Sequence, residues 1–446
     1  MMRISLGTVR AVIPMLLAAV LVSCTALVQA RPLAGPDTLP PLPAGWSTTL
    51  QLGMSSQPGD ATAMAATAPF GLRSQYLAGG VNTGGGWATW GADGAFVADY
   101  ARESASHGMR SVFDYYMLLH SQPASGADEA GKVSSNLTNV ATMTAYYADL
   151  KLFYLKVAPF AQTGVILHAE PDLWGYLQQR SRGDDGASVP AVVASSGLPE
   201  LADLPNTAAG FAQAFIALRD RYAPGVQVAY HLSVWGTGKD ILYSRPADAT
   251  VDELADRAAA FYRSLGARFD LAFADPTDRD AAFKQYQYGD RGRAWWTAAD
   301  YARNARFIGT FVAGSGRRVV LWQTPLGNTK MRAMNNDWDH YQDNHVEWLL
   351  DEASRPHLLD YANAGVIGII FGRGADGATC ACDAAGDGVT DPAPINGNAL
   401  MSLSADDDGG YFRARAAGYY AAGPLPLPTG TGATPGSTPS SVPTRK

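Results

Sequence analysis

Apolar and polar positions follow two alternating patterns along the chain. Short runs of β-branched and aromatic residues predict β-strands, and the longer stretches between them, with apolar residues every three or four positions, predict amphipathic helices. Eight strands are predicted at 49–54, 73–78, 110–117, 164–169, 226–232, 269–274, 318–323 and 366–371. The clearest helices are predicted at 138–158, 207–222, 251–264, 297–313 and 341–354, with a last one at 411–421.

The predicted strands are apolar throughout rather than at alternate positions. This is typical of a parallel sheet that helices cover on both faces. Eight strand–helix units between residues 46 and 423 fit the α/β class and a single (β/α)8 TIM barrel with long βα loops. A doubly wound open sheet is the alternative, but no glycine-rich phosphate-binding motif follows the first predicted strand.

The two ends of the chain differ in composition from the barrel region. Residues 1–30 have the pattern of a signal peptide, with two arginines before an apolar stretch too short to span a membrane. The residues up to Cys24 are similar to a lipobox, whereas 28–30 match an ordinary signal-peptidase site. A Pro-rich lead-in is expected at 31–45 and a disordered tail at 424–446. We therefore expect an extracellular or cell-envelope protein.

Composition narrows the classes of partner. Hydrophobic residues make up 47% of the chain and charged residues 17%, with a formal net charge of -7. Lysine and arginine are few and scattered, so no nucleic-acid partner is expected, and a membrane contact only through a lipid on Cys24. Cys380 and Cys382 alone follow the signal, which excludes a framework of stabilising disulfides and leaves open whether this pair is oxidised. We expect a monomer.

Titratable and aromatic side chains collect at the ends of the predicted strands. In (β/α)8 barrels the active site lies at the carboxyl ends of the strands. His168, Glu170 and Asp172 lie at the end of the fourth predicted strand and alternate with apolar residues, so on an extended chain all three side chains point the same way. The residues expected to bind substrate at this rim are His168, His231, Trp235, Trp322, Gln323, Trp174, Trp87, Asp114, Asn336, Trp338 and Arg373.

The tryptophans indicate the class of ligand. Eight of the ten lie at predicted strand ends or in the loops that follow them. A cleft rich in tryptophan suits stacking against sugar rings, whose faces are apolar while their rims need hydrogen bonds. We therefore expect a carbohydrate substrate.

Clustered carboxylates beside such a cleft favour glycoside hydrolysis, which needs one carboxylic acid and one carboxylate. The stretch 169–171, Ala-Glu-Pro, resembles the Asn-Glu-Pro motif of the large clan of retaining (β/α)8 glycosidases. In that clan this glutamate is the acid/base, so the resemblance implies that Glu170 is the general acid. Two positions depart from the clan's pattern: Ala169 replaces the asparagine, and Gln323 stands where the clan has its nucleophilic glutamate.

An amide cannot form the glycosyl-enzyme ester of a retaining mechanism. We therefore expect inversion, with Glu170 as the acid and a second carboxylate that activates water. Asp275, at the end of the sixth predicted strand, is the first candidate for that base and Asp172 the second.

A wider resemblance covers nearly all of the chain after the leader. YLAGGVNTGGGWATW, LHAEPDLWGY, LWQTPLGN with HYQDN, and TCACDAAGDGVTDP together resemble a group of secreted, glycosidase-like bacterial proteins. The resemblance implies an extracellular barrel protein and supplies no substrate.

Two other functions fit parts of the sequence. A carbohydrate-binding barrel without catalysis would explain Gln323. A metal-dependent barrel hydrolase would use His168 and His231, although the first predicted strand lacks the His-x-His of such enzymes. No cofactor is expected, apart from calcium in a loop whose aspartates are spaced as in calcium loops, with an alanine at one ligand position. These aspartates are Asp383, Asp387 and Asp391.

Overall fold

The computed structural model describes residues 39–277, 279–329, 342–351, 355–372 and 411–430. Eight parallel strands form a closed barrel, each paired with its neighbours in chain order. The (β/α)8 barrel predicted from the sequence is therefore confirmed. The strands are β1 (Gln51–Ser55), β2 (Leu72–Leu77), β3 (Arg110–Tyr115), β4 (Val165–Ala169), β5 (Gln227–His231), β6 (Leu271–Ala274), β7 (Val319–Pro325) and β8 (Val366–Gly372).

Helices surround the barrel. Those in the described ranges are α1 (Ala61–Thr67), α2 (Ala95–Ser106), α3 (Glu129–Leu137), α4 (Val140–Val157), α5 (Leu173–Arg180), α6 (Ala208–Tyr222), α7 (Ile241–Ser244), α8 (Asp248–Ser264), α9 (Ala281–Gln287), α10 (Ala298–Ser315), α11 (His345–Leu350), α12 (Arg355–Asn363) and α13 (Tyr411–Ala421). The helix predicted at 341–354 is shorter in the structure and begins at His345, whose backbone N–H donates to the Asp343 carboxylate at 2.7 Å.

The core lies between the barrel and its helices. Every residue of β4, β5, β6 and β8 is buried, as expected for a parallel sheet covered on both faces. Aromatic rings fill the space outside β4 and β5: Trp174 packs against Phe211, Tyr230 and Phe269 with ring centroids 5.4 to 5.7 Å apart. This layer holds the strand ends, and the polar side chains they carry, in fixed positions.

The prediction of a disordered tail at 424–446 is wrong for the segment 424–430. It packs under the amino-terminal end of the barrel, where Leu425 and Leu427 are 6% and 5% exposed. Leu425 accepts a hydrogen bond from the Leu50 N–H, and Leu427 donates one to the Thr48 carbonyl, both at 2.8 Å. The two leucines bury apolar surface there, which the Pro-rich composition concealed.

Several predictions fall on residues outside the described ranges. These are the signal peptide at 1–30 with Cys24, the cysteines Cys380 and Cys382, and the calcium candidates Asp383, Asp387 and Asp391. Within the described ranges, no helix combines the length and the apolar character that crossing a membrane requires.

Candidate active site

A row of polar side chains crosses the barrel at the carboxyl ends of β3 to β6. Asp114 lies in β3, His168 in β4 and His231 at the end of β5, and Asp275 follows β6. Asp114 Oδ1 is 2.9 Å from His168 Nδ1, and His168 Nε2 is 3.0 Å from His231 Nδ1. His231 Nε2 is 3.4 Å from Asp275 Oδ1. We refer to these four residues as the Asp–His–His–Asp row.

The inner three members of the row are fully buried. The Ser74 hydroxyl, on β2, donates a hydrogen bond to Asp114 Oδ2. The Trp322 ring stands edge-on to both imidazoles, with centroids 4.8 Å from His168 and 5.8 Å from His231. Since Trp322 is 2% exposed, it forms part of the packing around the row rather than an open stacking surface.

Burial and neighbouring charges shift the pKa values along the row in different directions. Burial raises the pKa of Asp114 to about 7, although the hydrogen bond from Ser74 opposes this shift. Burial and the neighbouring His231 lower the pKa of His168 well below its usual value. Burial also opposes a charge on His231, but the carboxylates of Asp275, Asp172 and Asp114 raise its pKa overall. A proton bound by the two imidazoles is therefore favoured on His231, beside Asp275.

A cavity of about 290 Å³ opens at the outer end of the row. Asp172 and Asp275 both line it, and their side chains are 35% and 13% exposed. Its other lining residues are Glu129, Tyr176, Val234, Trp235, Asp240, Leu242, Tyr243, Pro276, Thr277, Lys284, Arg293, Ala294 and Trp296. The volume is at the lower end of the range for small-molecule sites, and the lining mixes aromatic with charged groups.

Asp172 reaches the row from the loop after β4. Its Oδ1 is 3.8 Å from His231 Nε2, so the two aspartates that the sequence offers as the base both face the same nitrogen. Asp172 has a backbone φ of 67°, in the left-handed region that L-residues rarely adopt. Glu170 (42°) and Gln323 (53°) share this feature. Such backbone strain concentrates at functional sites in proteins.

The side chain of Glu170 points away from the cavity. The residue is 1% exposed and does not line the cavity. Its Oε1 accepts hydrogen bonds from the N–H groups of Met117 (3.2 Å) and Leu118 (3.1 Å) and from the Tyr146 hydroxyl (2.8 Å). Burial raises the pKa of Glu170 to about 8 despite these three donors. This position favours a structural role, and general acid catalysis by Glu170 stays a prediction.

The expectation that residues 168, 170 and 172 point the same way is wrong. Alternation of side chains holds for extended backbone. His168 lies within β4, but the positive φ values of Glu170 and Asp172 turn the chain away from the extended form. His168 and Asp172 consequently meet at His231, while Glu170 binds the loop after β3.

Two predicted sugar-binding tryptophans belong to the hydrophobic core. Trp174 and Trp87 are both fully buried. The Trp174 indole donates to the Ala169 carbonyl at 2.8 Å, and the Trp87 indole donates to Asp149 Oδ1 at 2.7 Å. Trp174 lies in α5 and Trp87 follows β2, and both rings pack between the strands and the helices, away from the cavity. The prediction is therefore wrong for both residues.

Trp235 and Gln323 lie at the strand ends where the sequence placed them. Trp235 lines the cavity, and its ring packs against Tyr176 at 4.8 Å between centroids. The Gln323 amide donates to the Tyr76 hydroxyl. The remaining predicted substrate ligands, Asn336, Trp338 and Arg373, lie outside the described ranges and stay predictions.

Among the lining residues to which the sequence did not point, five have titratable side chains and lie on helices or at a helix N-cap. They come from segments that the strand pattern does not mark, such as α3, α7 and α9. Asp240 had a local signal, since an aspartate before a short apolar stretch is typical of a helix N-cap, and its carboxylate does bind the N–H groups of Leu242 and Tyr243 at 2.7 and 3.0 Å. The five residues are Glu129, Tyr176, Asp240, Tyr243 and Lys284.

The described residues contain no group of three or more His, Cys, Asp or Glu side chains arranged to hold a metal ion. The imidazole nitrogens through which His168 and His231 face each other are occupied by their mutual hydrogen bond. This geometry does not favour the metal-dependent hydrolase as an alternative.

No family model and no curated protein matches the chain. The solved structures similar to it include a GH5-4 broad-specificity endoglucanase from an uncultured bacterium, at 14% identity and TM-score 0.38 over 74% of this chain and 78% of that one. A glucosidase from Croceicoccus marinus is 14% identical, with TM-score 0.36 over 85% and 69%. The catalytic domain of a β-amylase from Paenibacillus polymyxa is 9% identical, with TM-score 0.35 over 74% and 93%.

These three structural neighbours are glycoside hydrolases by name. At such identities and TM-scores the likeness is distant and does not identify a reaction. Any function for this chain has to be derived from the geometry of its own site.

Proposed function

We propose that the protein hydrolyses glycosidic bonds in a polysaccharide or oligosaccharide. The observation that carries the proposal is the pair of cavity-facing carboxylates, Asp172 and Asp275, which converge on the buried imidazole of His231. Glycoside hydrolysis needs two such carboxyl groups in one cleft. Trp235 and Tyr176 supply an aromatic wall of the kind on which sugar rings stack.

The surroundings of the two aspartates suggest which of them is the base and which is the acid. Asp275 is the less exposed and lies nearer to His231, which suits a base that takes a proton from water and passes it on. Asp172 is the more exposed, and we assign to it proton donation to the leaving oxygen. Glu170, to which the sequence assigns the acid role, instead stabilises the loop after β3 through its three hydrogen bonds.

Inversion at the anomeric carbon is the stereochemistry that fits this site best. Gln323, at the position of a retaining nucleophile, is an amide bound to the Tyr76 hydroxyl. Asp172 and Asp275 both reach the cavity and lie 3.8 and 3.4 Å from the same His231 nitrogen, so one can donate a proton while the other activates water.

We further propose that the protein acts outside the cytoplasm, since residues 1–30 have the pattern of an export signal. Its substrate is then a glycan of a cell wall or of the environment. Lipid attachment at Cys24 is the variant of this proposal in which the barrel is anchored to the cell envelope.

The test is a panel of plant, fungal and bacterial wall glycans, read by the release of reducing ends. Proton NMR of the first-formed product should show the anomer opposite to that of the bond cleaved. Net retention would mean that another carboxylate is the nucleophile. If glycans bind but none is cleaved, the protein is a carbohydrate-binding barrel without catalysis and the proposal is wrong.

A further inference from the structure

The Asp–His–His–Asp row extends further into the barrel than two catalytic carboxylates require. One hydrogen-bond partner is enough to orient Asp275, and His231 is in the right place to be that partner. His231 is in turn bonded to His168, and His168 to Asp114, a fully buried carboxylate. Burying three connected titratable groups costs stability. A row of this length therefore indicates a function that offsets the cost.

We propose that Asp114, His168 and His231 form a proton relay, which moves the proton taken from the attacking water away from Asp275 and into the interior of the barrel. The inference rests on the proposed hydrolase function. Asp275 is the group that touches water, and the three inner residues act through it. Their effect is to return Asp275 to its carboxylate form within the same turnover.

The transfer balances without any further reactant. Before the step each imidazole carries its proton on Nδ1, so that His231 donates to His168 Nε2 and His168 donates to Asp114. Water loses a proton to Asp275 as its oxygen bonds to the anomeric carbon. Asp275 then protonates His231 Nε2, His231 passes its Nδ1 proton to His168, and His168 passes its own to Asp114. Asp275 ends as a carboxylate, both imidazoles end protonated on Nε2, and Asp114 ends as a carboxylic acid. After product release the proton returns along the row to His231 Nε2, and Asp172, 3.8 Å away, takes it and regains its acid form.

Burial and the neighbouring charges favour passage of the proton to Asp114. The carboxylates around His231 raise its pKa, which helps its imidazole to accept the proton from Asp275. Burial and the neighbouring His231 lower the pKa of His168 well below its usual value, so this imidazole transmits the proton without holding it. Burial raises the pKa of Asp114 to about 7, so its carboxylate can take up the proton near neutral pH.

Each element packed against the relay contributes polar or charged groups. From β2 come the Ser74 hydroxyl and Tyr76, whose pKa burial and the nearby aspartates raise far above the usual range, so that it stays neutral. Asp172 faces His231 from the loop after β4. The positive charge of Arg279, after β6, opposes the rise in the pKa of Tyr76. From β7, the Trp322 ring covers both imidazoles.

The first test compares two variants that should shift the acidic limb of the pH profile of kcat/KM in opposite directions. Asp114→Asn still accepts the His168 hydrogen bond but holds no proton and no charge. The limb should move to lower pH, because a carboxylate that raises the pKa of His231 is lost. Ser74→Ala removes a donor that stabilises the Asp114 carboxylate, so the limb should move to higher pH. If neither variant moves the limb, the relay is refuted.

Asp149→Asn is the matched control. Asp149 is a half-buried aspartate whose pKa burial raises, to about 6, and it accepts hydrogen bonds from Tyr115 and Trp87, both of which lie outside the row. Its loss should lower thermal stability while the acidic limb stays in place. A shift as large as that of Asp114→Asn would assign the effect to any aspartate with a raised pKa and overturn the relay.

A second measurement needs no substrate and separates failure of the relay from failure of the proposed function. Nitrogen-15 NMR of histidine-labelled protein reports which ring nitrogen carries the proton. His168 and His231, assigned with His168→Gln and His231→Gln, should change together in one transition on lowering the pH, and His168 should stay protonated on Nδ1 in Asp114→Asn. A His168 whose protonation does not respond to pH in the wild type refutes the relay, whether or not a glycan is cleaved. A response without hydrolysis shows that the row transmits a proton and refutes the hydrolase that the relay would serve.

Discussion

Glu170 and Asp172 are two residues apart at the end of β4, but their carboxylates have opposite surroundings. Glu170 is 1% exposed and is held by two backbone N–H groups and a tyrosine hydroxyl. Asp172 is 35% exposed at its side chain, lines the cavity and lies 3.8 Å from His231. The buried carboxyl group binds the loop after β3, and the more exposed one faces the cavity.

The difference shows why a motif at a strand end does not by itself identify a catalytic group. Glu170 occupies the position of the acid/base in the Asn-Glu-Pro motif, yet its carboxylate is bound by backbone and tyrosine donors of its own barrel. What distinguishes Asp172 and Asp275 is their access to the cavity and their shared contact with His231. Access depends on the backbone after the strand, which turns at Glu170 and again at Asp172.

Asp275→Asn should give the largest loss of activity. An asparagine accepts no proton from water, and general base catalysis contributes about 10² to 10⁴ in rate. We expect kcat to fall by about that factor while glycan binding, measured by calorimetry, stays within about threefold. A kcat that remains within tenfold of the wild type would remove Asp275 from the mechanism.

Asp172→Asn should show a loss that depends on the leaving group. Without the acid, cleavage of a natural sugar–sugar bond should slow by about 10² or more. A nitrophenyl glycoside, whose leaving group departs without a proton, should be much less affected. Equal losses on both substrates would mean that Asp172 does not donate the proton.

Trp235→Ala and Trp174→Phe should have different effects, because Trp235 belongs to the cavity wall and Trp174 to the core. Loss of the Trp235 ring should weaken glycan binding by about 0.5–1.5 kcal/mol, a two- to tenfold rise in KM. Trp174→Phe removes the hydrogen bond to the Ala169 carbonyl inside the core, so it should lower the melting temperature and leave KM unchanged. The reverse pattern would contradict the assignment of the two rings.

The pH dependence of stability should show that the carboxyl group of Glu170 is buried, in contrast to that of Asp172. Burial raises its pKa to about 8 in the folded state, from 4.5 in an exposed glutamate. Between these values the folded state binds more protons than the unfolded state, so stability falls as pH rises through this range. Glu170→Gln cannot ionise and should show a smaller fall in melting temperature from pH 5 to 8. Equal falls would contradict the buried position of the carboxyl group.

The sequence predicted the fold because hydrophobic periodicity reports burial directly. β8, predicted at 366–371, spans Val366–Gly372, and α6, predicted at 207–222, spans Ala208–Tyr222. The barrel rule then placed Asp114, His168, His231 and Asp275 at one rim, where the structure joins them in a row.

The parts that the sequence did not predict depend on loop backbone and on packing. The direction of Glu170 follows from a left-handed residue, which composition does not reveal. The sequence places Trp87 and Trp174 just after predicted strands, but both rings pack in the core. Leu425 and Leu427 are two isolated leucines among prolines, and a pattern this short does not predict that they are buried. In each case a long-range contact outweighs the local signal.

The activity of Glu170→Gln tests the central claim most directly. The amide oxygen that this substitution introduces still accepts the hydrogen bonds of Met117 and Leu118, but the amide is neither an acid nor a base. If Asp172 and Asp275 carry the reaction, kcat/KM on the glycan that the wild type cleaves should stay within tenfold of the wild-type value. A fall of about 10² or more, in a variant that is folded and still binds the glycan, would make Glu170 the general acid and contradict the account.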